Sequence, residues 1–314
     1  MRTKITLLLL FQAVFAFGCW RGSAQNNSRT SGNIETRPPT SPSPRTEPSN
    51  QMENANSNDM NPNVTEAKTG GFFANVASGF VRPTDEVGGR LLKEYGSVFM
   101  ARGGAIPPNK VIFKDESEVS AFQSGVSISS ETIDGKPIEL QAAAMKALMD
   151  AIREAGQDGL TITPRDYDAA RRSYADTVSL WASRVEPALD HWAAKGRITE
   201  ADAQKMRALS PFEQVPEVFK LESKGIFFAK DLSKSIIYSV APPGTSQHLS
   251  MLAFDINEHE NSRVREILAR HGWYQTVVSD LPHFTFLGIE ENKMKSFGLK
   301  KVSNDGRKFW LPEI

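Results

Sequence analysis

The chain has 314 residues and carries 37 basic and 37 acidic side chains, so its formal net charge is zero. This balance gives no electrostatic footprint for a nucleic acid or another polyanion, and we expect no nucleic-acid partner. Its single cysteine excludes a disulfide bond within the chain.

The first 19 residues have the pattern of an export signal. Two basic residues near the start precede an apolar run, residues 5–18, that is too short to cross a bilayer of about 30 Å. Cys19 ends a segment that resembles a bacterial lipobox with an unusual phenylalanine, and cleavage after Ala24 is the alternative. Both routes predict export to the cell envelope. The lipobox predicts a lipid attached to Cys19 and anchoring to a membrane.

Residues 20–70 form a predicted disordered tether. They are rich in Ser, Asn, Thr and Pro and contain few aliphatic residues, so they cannot bury enough apolar surface to offset the entropy of ordering. A flexible segment of about 50 residues spans roughly 40 Å, enough to hold a folded domain away from a membrane. A leader without a role is the alternative. We divide the rest into an N-terminal subdomain, residues 71–137, and a core, residues 138–314.

The predicted elements of the N-terminal subdomain are few. They are a short helix at 84–95, a strand at 110–113 and a hairpin turn at Asp134-Gly135. We interpret this region as structural or substrate-lining.

The core has a stronger pattern. Apolar residues at helical spacing predict a helix that stops at Gly156, and a longer stripe predicts one amphipathic helix over residues 166–194. Thr199 with Asp202 predicts another helix start. The remaining predictions are a half-buried strand at 160–163, a helix at 213–223, a buried strand at 235–240, a short helix at 290–297 and a terminal hairpin turning at Asp305-Gly306.

Residues 244–283 contain four of the five histidines and the candidate chemistry. His248, Asp255 and His283 could supply the three protein ligands of a catalytic zinc site, which leaves a fourth position for water. Asp280, three residues before His283, is placed to take the proton from that water. Because an odd separation puts strand side chains on opposite faces, the backbone between His248 and Asp255 must bend. We expect His259 to be exposed to solvent.

Two motifs carry a family resemblance. The run PPGTSQHLSMLAFDI resembles the SxHxxGxAxD signature of the VanY-type D-alanyl-D-alanine carboxypeptidases, and DLPHF resembles their ExxH signature. The resemblance implies that His248, Asp255 and His283 bind zinc, that Asp280 is the general base, and that Ser246 lies in the substrate pocket.

The chain departs from the signatures at two positions. Met251 stands where the family has glycine, which suggests different packing behind the metal. Asp280 stands where the family has glutamate, and its carboxylate is nearer the backbone by about 1.5 Å.

The segment RRSYADT, residues 171–177, resembles the family's YRSYxxQ motif, with Thr177 in place of the glutamine. The resemblance implies that Arg172 stabilises the negative charge that develops on the carbonyl oxygen during hydrolysis. A solvated surface arginine is the alternative.

Together these patterns predict an exported α+β zinc peptidase, with helices packed on a small antiparallel sheet that carries the metal. The implied activity is removal of the terminal D-alanine from peptidoglycan stem peptides. A tethered peptidoglycan-binding protein without catalysis and a peptidoglycan endopeptidase of the same fold are the alternatives.

Overall fold

The computed structural model describes residues 67–314, which lie within one compact unit. The predicted signal peptide, the lipid site at Cys19 and the predicted tether up to residue 66 lie outside the described residues. Among the helices of residues 67–314, none combines the length and the apolar character that a membrane span requires.

Helices supply most of the regular structure. Over the described range the α-helices are α1 (Phe72–Asn75), α2 (Glu86–Tyr95), α3 (Glu116–Ser124), α4 (Ala142–Gln157), α5 (Tyr174–Ala194), α6 (Glu200–Ala208), α7 (Pro211–Glu222) and α8 (Ser262–Arg270). Trp181, Val185 and Leu189 of α5 are fully buried, as their helical spacing predicts.

The strands are short and pair only in antiparallel fashion. They are β1 (Ile128–Ile133), β2 (Lys136–Gln141), β3 (Ala253–Asp255), β4 (Trp273–Tyr274), β5 (His283–Phe286), β6 (Leu299–Asn304) and β7 (Arg307–Pro312). β1 pairs with β2 and β6 pairs with β7, while β3, β5 and β4 form a three-stranded sheet in that order. The α+β fold class is therefore confirmed.

Both predicted hairpin turns are present. Asp134 and Gly135 connect β1 to β2 with φ of 48° and 73°, and Asp305 and Gly306 connect β6 to β7 with φ of 48° and 71°. Positive φ at both central residues is the property of the two-residue turn for which Asp-Gly is favoured.

The three-stranded sheet sets the geometry of the site. In its register Asp255 of β3 lies opposite His283 of β5, and Phe254 lies opposite Phe284. Residues directly opposite in an antiparallel pair have neighbouring side chains on one face. The two phenylalanines are buried, and Phe254 packs against Trp273 of β4. The apolar face thus anchors the sheet in the core, and Asp255 and His283 are brought together on the other face.

The predicted helix over residues 166–194 is wrong at its start. α5 begins at Tyr174 because Ser173 forms a capping box with Asp176, in which each side chain bonds the other residue's backbone N–H. Residues 166–173 form a loop instead, so Arg172 lies before the helix. The helix start predicted from Thr199 and Asp202 is confirmed at α6, where the two residues form a capping box.

Two predictions around α4 are also wrong. The helix continues past Gly156 to Gln157, and the chain leaves it at Gly159, which has a φ of 69°. Residues 160–163 are not a strand, and the nearest pairing is one bridge between Pro164 and Ile256. The backbone N–H of Thr163 instead donates to the carboxylate of Glu258.

Other short apolar runs were predicted wrongly. Residues 110–113 contain only one bridge, from Val81 to Lys110. The segment 235–240 is a 3₁₀ turn at Ile236–Tyr238, since the Glu222 carboxylate accepts the N–H of Ile236 and fixes the turn. The predicted helix at 290–297 is a 3₁₀ turn at Glu291–Lys293. Periodicity alone does not separate these conformations in such short runs.

Candidate metal centre

His248 lies on a 3₁₀ turn, Gln247–Ser250, that enters β3 through a sharp change of direction. The change occurs at Met251, whose backbone is left-handed with φ 54° and ψ 34°. The predicted bend between His248 and Asp255 is thereby confirmed. Glycine adopts this conformation without steric cost, whereas a residue with a Cβ does not. The methionine side chain is fully buried.

Three buried side chains direct their ligand atoms at one point. Nδ1 of His283 lies 3.1 Å from Oδ1 of Asp255, and Nε2 of His248 lies 3.3 Å from the same oxygen. The three candidate ligand atoms all lie within 4.8 Å of one another. In a tetrahedral site with zinc–ligand bonds of about 2.0–2.1 Å, neighbouring ligands are about 3.3 Å apart. The residues present therefore fit a zinc ion.

Each histidine is oriented by the nitrogen that faces away from this point. Nδ1 of His248 donates to the carbonyl oxygen of Ala170 at 2.7 Å, and Nε2 of His283 lies 2.9 Å from Oε1 of Gln247. Nε2 of His248 is buried and has no partner of hydrogen-bond geometry among the described residues, despite its distance of 3.3 Å from Asp255. A metal ion would satisfy this otherwise costly buried nitrogen.

The environment favours the ionisation states that bind metal. Burial lowers the pKa of His248, and the positive charge of Arg172 lowers it further. Burial alone would raise the pKa of Asp255, but the attraction and contacts of His248 and His283 outweigh burial and hold this pKa well below its usual range. A neutral imidazole and an ionised carboxylate are the forms that coordinate a metal.

The loop before α5 wraps around the centre. The backbone N–H of Asp255 donates to the carbonyl oxygen of Ala169 at 2.8 Å. This pairing places Arg172 beside the same aspartate, where Nη2 lies 3.0 Å from Oδ2 of Asp255 and Nε donates to the carbonyl oxygen of Asp168 at 3.1 Å. The side chain of Arg172 is 14% exposed. Arg172 is therefore part of the site and not a solvated surface charge.

The three candidate ligands line a cavity of about 400 Å³. Arg172, Ser246 and Asp280 line the same cavity, so the structure brings every predicted site residue of the core into one place. Asp280 is exposed, and its turn is fixed because its carbonyl oxygen accepts the backbone N–H of His283 at 3.3 Å.

The structure also shows site residues that the motifs do not identify. Tyr95, at the end of α2, lines the cavity although it lies far from the motifs in the sequence, and Arg184 of α5 lines another part of it. Gln247, inside the first motif, contacts His283. Its position within SxH could have drawn attention to it, whereas the other two are recognised only once the chain is folded.

The other histidines in the described range do not join the centre. His271 follows the last residue of α8, and its Nε2 lies 2.7 Å from a carboxylate oxygen of Glu154. His259 is partly buried, so its predicted exposure is wrong, and the 3₁₀ turn that carries it lies outside the cavity lining. His191 stacks edge-on against Trp192.

Comparison with known proteins gives only distant matches. No family model matches the chain, and no curated protein matches it. Similar solved structures include a mutant of the vancomycin-resistance D,D-pentapeptidase VanY in complex with Zn(II), at 20% identity and a TM-score of 0.29, covering 52% of this chain and 80% of that one. VanYB in complex with D-alanine-D-alanine has 21% identity and a TM-score of 0.31, covering 54% and 82%. The LD-carboxypeptidase LdcB, solved in a study of peptidoglycan recognition, has 16% identity and a TM-score of 0.31, covering 55% and 69%.

Proposed function

We propose that this protein is an exported zinc peptidase that removes the terminal D-alanine from peptidoglycan stem peptides. The observation that carries the proposal is the separation of 3.1 and 3.3 Å between the Asp255 oxygen and the two histidine nitrogens, inside a cavity that also contains Asp280 and Arg172. The two signature motifs, which supply these residues, support the choice of substrate.

Different residues of the cavity have different roles in the proposed amide hydrolysis. When bound by His248, Asp255 and His283, zinc lowers the pKa of a water and polarises the scissile carbonyl. Asp280 accepts the proton of the attacking water and returns it to the leaving amine. Asp280 lines the same cavity as the three candidate ligands, which supports this assignment.

Arg172 has donors left for the substrate. Its Nη2 and Nε bond Asp255 and Asp168, while Nη1 has no hydrogen-bond partner among residues 67–314. The two N–H groups of Nη1 can therefore stabilise the negative charge on the carbonyl oxygen at the transition state. Ser246 contributes a hydroxyl at the cavity wall for binding the peptide.

The test is hydrolysis of a stem peptide ending in D-alanyl-D-alanine by the zinc-loaded protein, with the Asp280→Asn variant as control. We expect free D-alanine from the wild-type protein and almost none from the variant, with equal zinc in both. Zinc binding without hydrolysis of any muropeptide would reject the peptidase activity and favour a peptidoglycan-binding protein.

An endopeptidase is the second candidate activity because a second depression of the surface adjoins the cavity. A more open basin of about 510 Å³ shares Asp168 and Leu180 with the cavity lining. A peptide that continues past the cleavage point could lie in this basin. Release of internal fragments from cross-linked muropeptides would favour this activity over removal of a terminal residue.

Membrane anchoring through Cys19 is part of the proposal and is tested separately. A lipid-modified protein incorporates labelled fatty acid in cells and remains with the membrane fraction. The Cys19→Ser variant should lose both properties. Labelling that persists in this variant would exclude Cys19 as the attachment site.

A further inference from the structure

Gln247 connects His283 to a distant part of the chain. Its Oε1 lies 2.9 Å from Nε2 of His283 and accepts the hydroxyl of Thr285. Its Nε2 donates to the backbone carbonyl oxygen of Tyr95 at 2.8 Å, across 152 positions of sequence. Only 3% of Gln247 is exposed, and Thr276 and Thr285 are fully buried.

The contacts on its two sides determine which way the amide of Gln247 points. A flipped amide would direct its oxygen at the carbonyl oxygen of Tyr95, where two acceptors would repel each other. With the nitrogen held by Tyr95, Oε1 must face His283. Since Oε1 can only accept, the ring nitrogen opposite it must carry a hydrogen.

We infer that Gln247 is a positioning residue that selects the tautomer of His283 with its hydrogen on Nε2. In this tautomer the lone pair lies on Nδ1, the atom 3.1 Å from Asp255 Oδ1. The hydrogen bond to Gln247 also fixes the plane of the ring. The inference rests on the proposed metal centre but not on the identity of the peptide substrate.

The network around Gln247 is consistent with a functional purpose. A polar group buried in a core costs stability unless every member of its network has a partner. Oε1 accepts from His283 and Thr285, and the hydroxyl of Thr276, 3.2 Å from the same oxygen, also contacts the hydroxyl of Thr285. The contact with Tyr95 also gives the N-terminal subdomain a part in shaping the metal centre, since Tyr95 ends α2.

The first test compares zinc affinity in two matched variants by competition with a chromophoric chelator. Gln247→Met keeps the length of the side chain but removes the acceptor, and we expect affinity to fall by about 10-fold to 100-fold. Gln214→Met is the control, because Gln214 is 9% exposed and also bonds on both sides, accepting from Trp181 Nε1 at 3.0 Å and donating to the carbonyl oxygen of Met206 at 3.2 Å. A general effect of removing a buried glutamine would lower affinity in both variants.

The second test reads the ring of His283 in the zinc-loaded protein through its ¹⁵N shifts, because without a metal Nδ1 also faces the Asp255 carboxylate. We expect zinc on Nδ1 and hydrogen on Nε2 in the wild-type protein, and faster exchange of that hydrogen with water in Gln247→Met. Zinc on Nε2 of His283 in the wild-type protein would overturn the inference even if the variant does not fold. Wild-type zinc affinity in a folded Gln247→Met variant would overturn it as well.

The outcomes separate this inference from the peptidase proposal. Zinc affinity that depends on Gln247, in a protein that hydrolyses no peptide, would keep the inference and reject the peptidase. A wild-type protein that binds no zinc would reject the metal centre and the inference together.

Discussion

Nη2 of Arg172 lies 3.0 Å from Oδ2 of Asp255, whereas the other carboxylate oxygen, Oδ1, is the one nearest the two histidines. The guanidinium therefore holds this carboxylate so that Oδ1 is presented to the metal site. This relationship gives Arg172 a role in metal binding in addition to the proposed stabilisation of the oxyanion. The two roles predict different effects of substitution.

Replacing Arg172 by alanine should lower zinc affinity as well as activity. Removing a partner that orients a metal ligand costs about 10-fold to 100-fold in affinity. Chelator competition measures this effect, and Arg172→Lys, which keeps the charge but not the planar geometry, should fall between the wild type and alanine. Lost turnover with unchanged zinc affinity would leave only the oxyanion role.

Asp280→Asn should abolish most hydrolysis while the protein retains one zinc. Loss of a general base lowers the rate by about 10²-fold to 10⁴-fold, and the hydrogen bonds and ion pairs of the three candidate ligands do not involve the Asp280 side chain. Asp280→Glu introduces the glutamate of the ExxH signature that DLPHF resembles and extends the carboxylate by about 1.5 Å. We expect it to retain much more activity than asparagine, as kcat measured at saturating zinc would show. Equal kcat for wild type and Asp280→Asn would exclude this aspartate as the base.

Met251→Gly should destabilise the protein, although glycine suits the backbone at this position. The left-handed conformation costs a residue with a Cβ about 1–2 kcal/mol, whereas removal of a large buried side chain costs about 2–5 kcal/mol. Urea unfolding at neutral pH measures the difference.

Met294→Gly is the matched comparison for this substitution. Met294 is also fully buried but has an ordinary φ of −53°. Its replacement should destabilise the protein by about 1–2 kcal/mol more than Met251→Gly, which is the strain that the first substitution relieves. A larger loss at Met251 would contradict a strained backbone there.

The metal-free protein should lose stability as the pH falls below about 6.5. The pKa of His248 is lower in the folded protein than in the unfolded chain, since burial and Arg172 disfavour its protonation. Between the two values the unfolded chain binds the extra proton, so the free energy of unfolding decreases with falling pH, by up to about 1.4 kcal/mol per pH unit.

Urea unfolding between pH 7.5 and 5.5 in a chelator tests this pH dependence. His248→Gln should have a shallower slope. Burial also lowers the pKa of His259, so His259→Gln provides the comparison for a histidine outside the site. An equal slope in the wild type and His248→Gln would contradict the assignment.

The sequence motifs predict the parts of the site that lie close together in the chain. His248, Asp255 and His283 could be chosen from spacing and resemblance, and the register of β3 with β5 sets Asp255 opposite His283. The two hairpin turns could also be predicted from the sequence, because Asp-Gly is favoured where both central residues of a turn have positive φ. The contact of Gln247 with Tyr95 could not be predicted, since it spans 152 positions and depends on how α2 packs.

The errors in secondary structure have a common origin. The helix predicted from residue 166 followed the apolar stripe of α5 backwards past Ser173, although the capping box of Ser173 and Asp176 was present in the sequence. The apolar segment at 235–240 has the pattern of a strand, but in the structure the carboxylate of Glu222 accepts the N–H of Ile236 and the segment forms a turn. In both cases a hydrogen bond between a side chain and the backbone determines the backbone conformation, and hydrophobic periodicity carries no information about such bonds.

Anomalous diffraction at the zinc edge from zinc-soaked crystals is the most direct test of the metal centre. We expect one strong peak, about 2.0–2.1 Å from Nε2 of His248, Oδ1 of Asp255 and Nδ1 of His283, which is absent in the His283→Ala variant. A peak at another group of residues, or no peak in a protein that retains this fold, would contradict the metal centre and the peptidase proposal that depends on it.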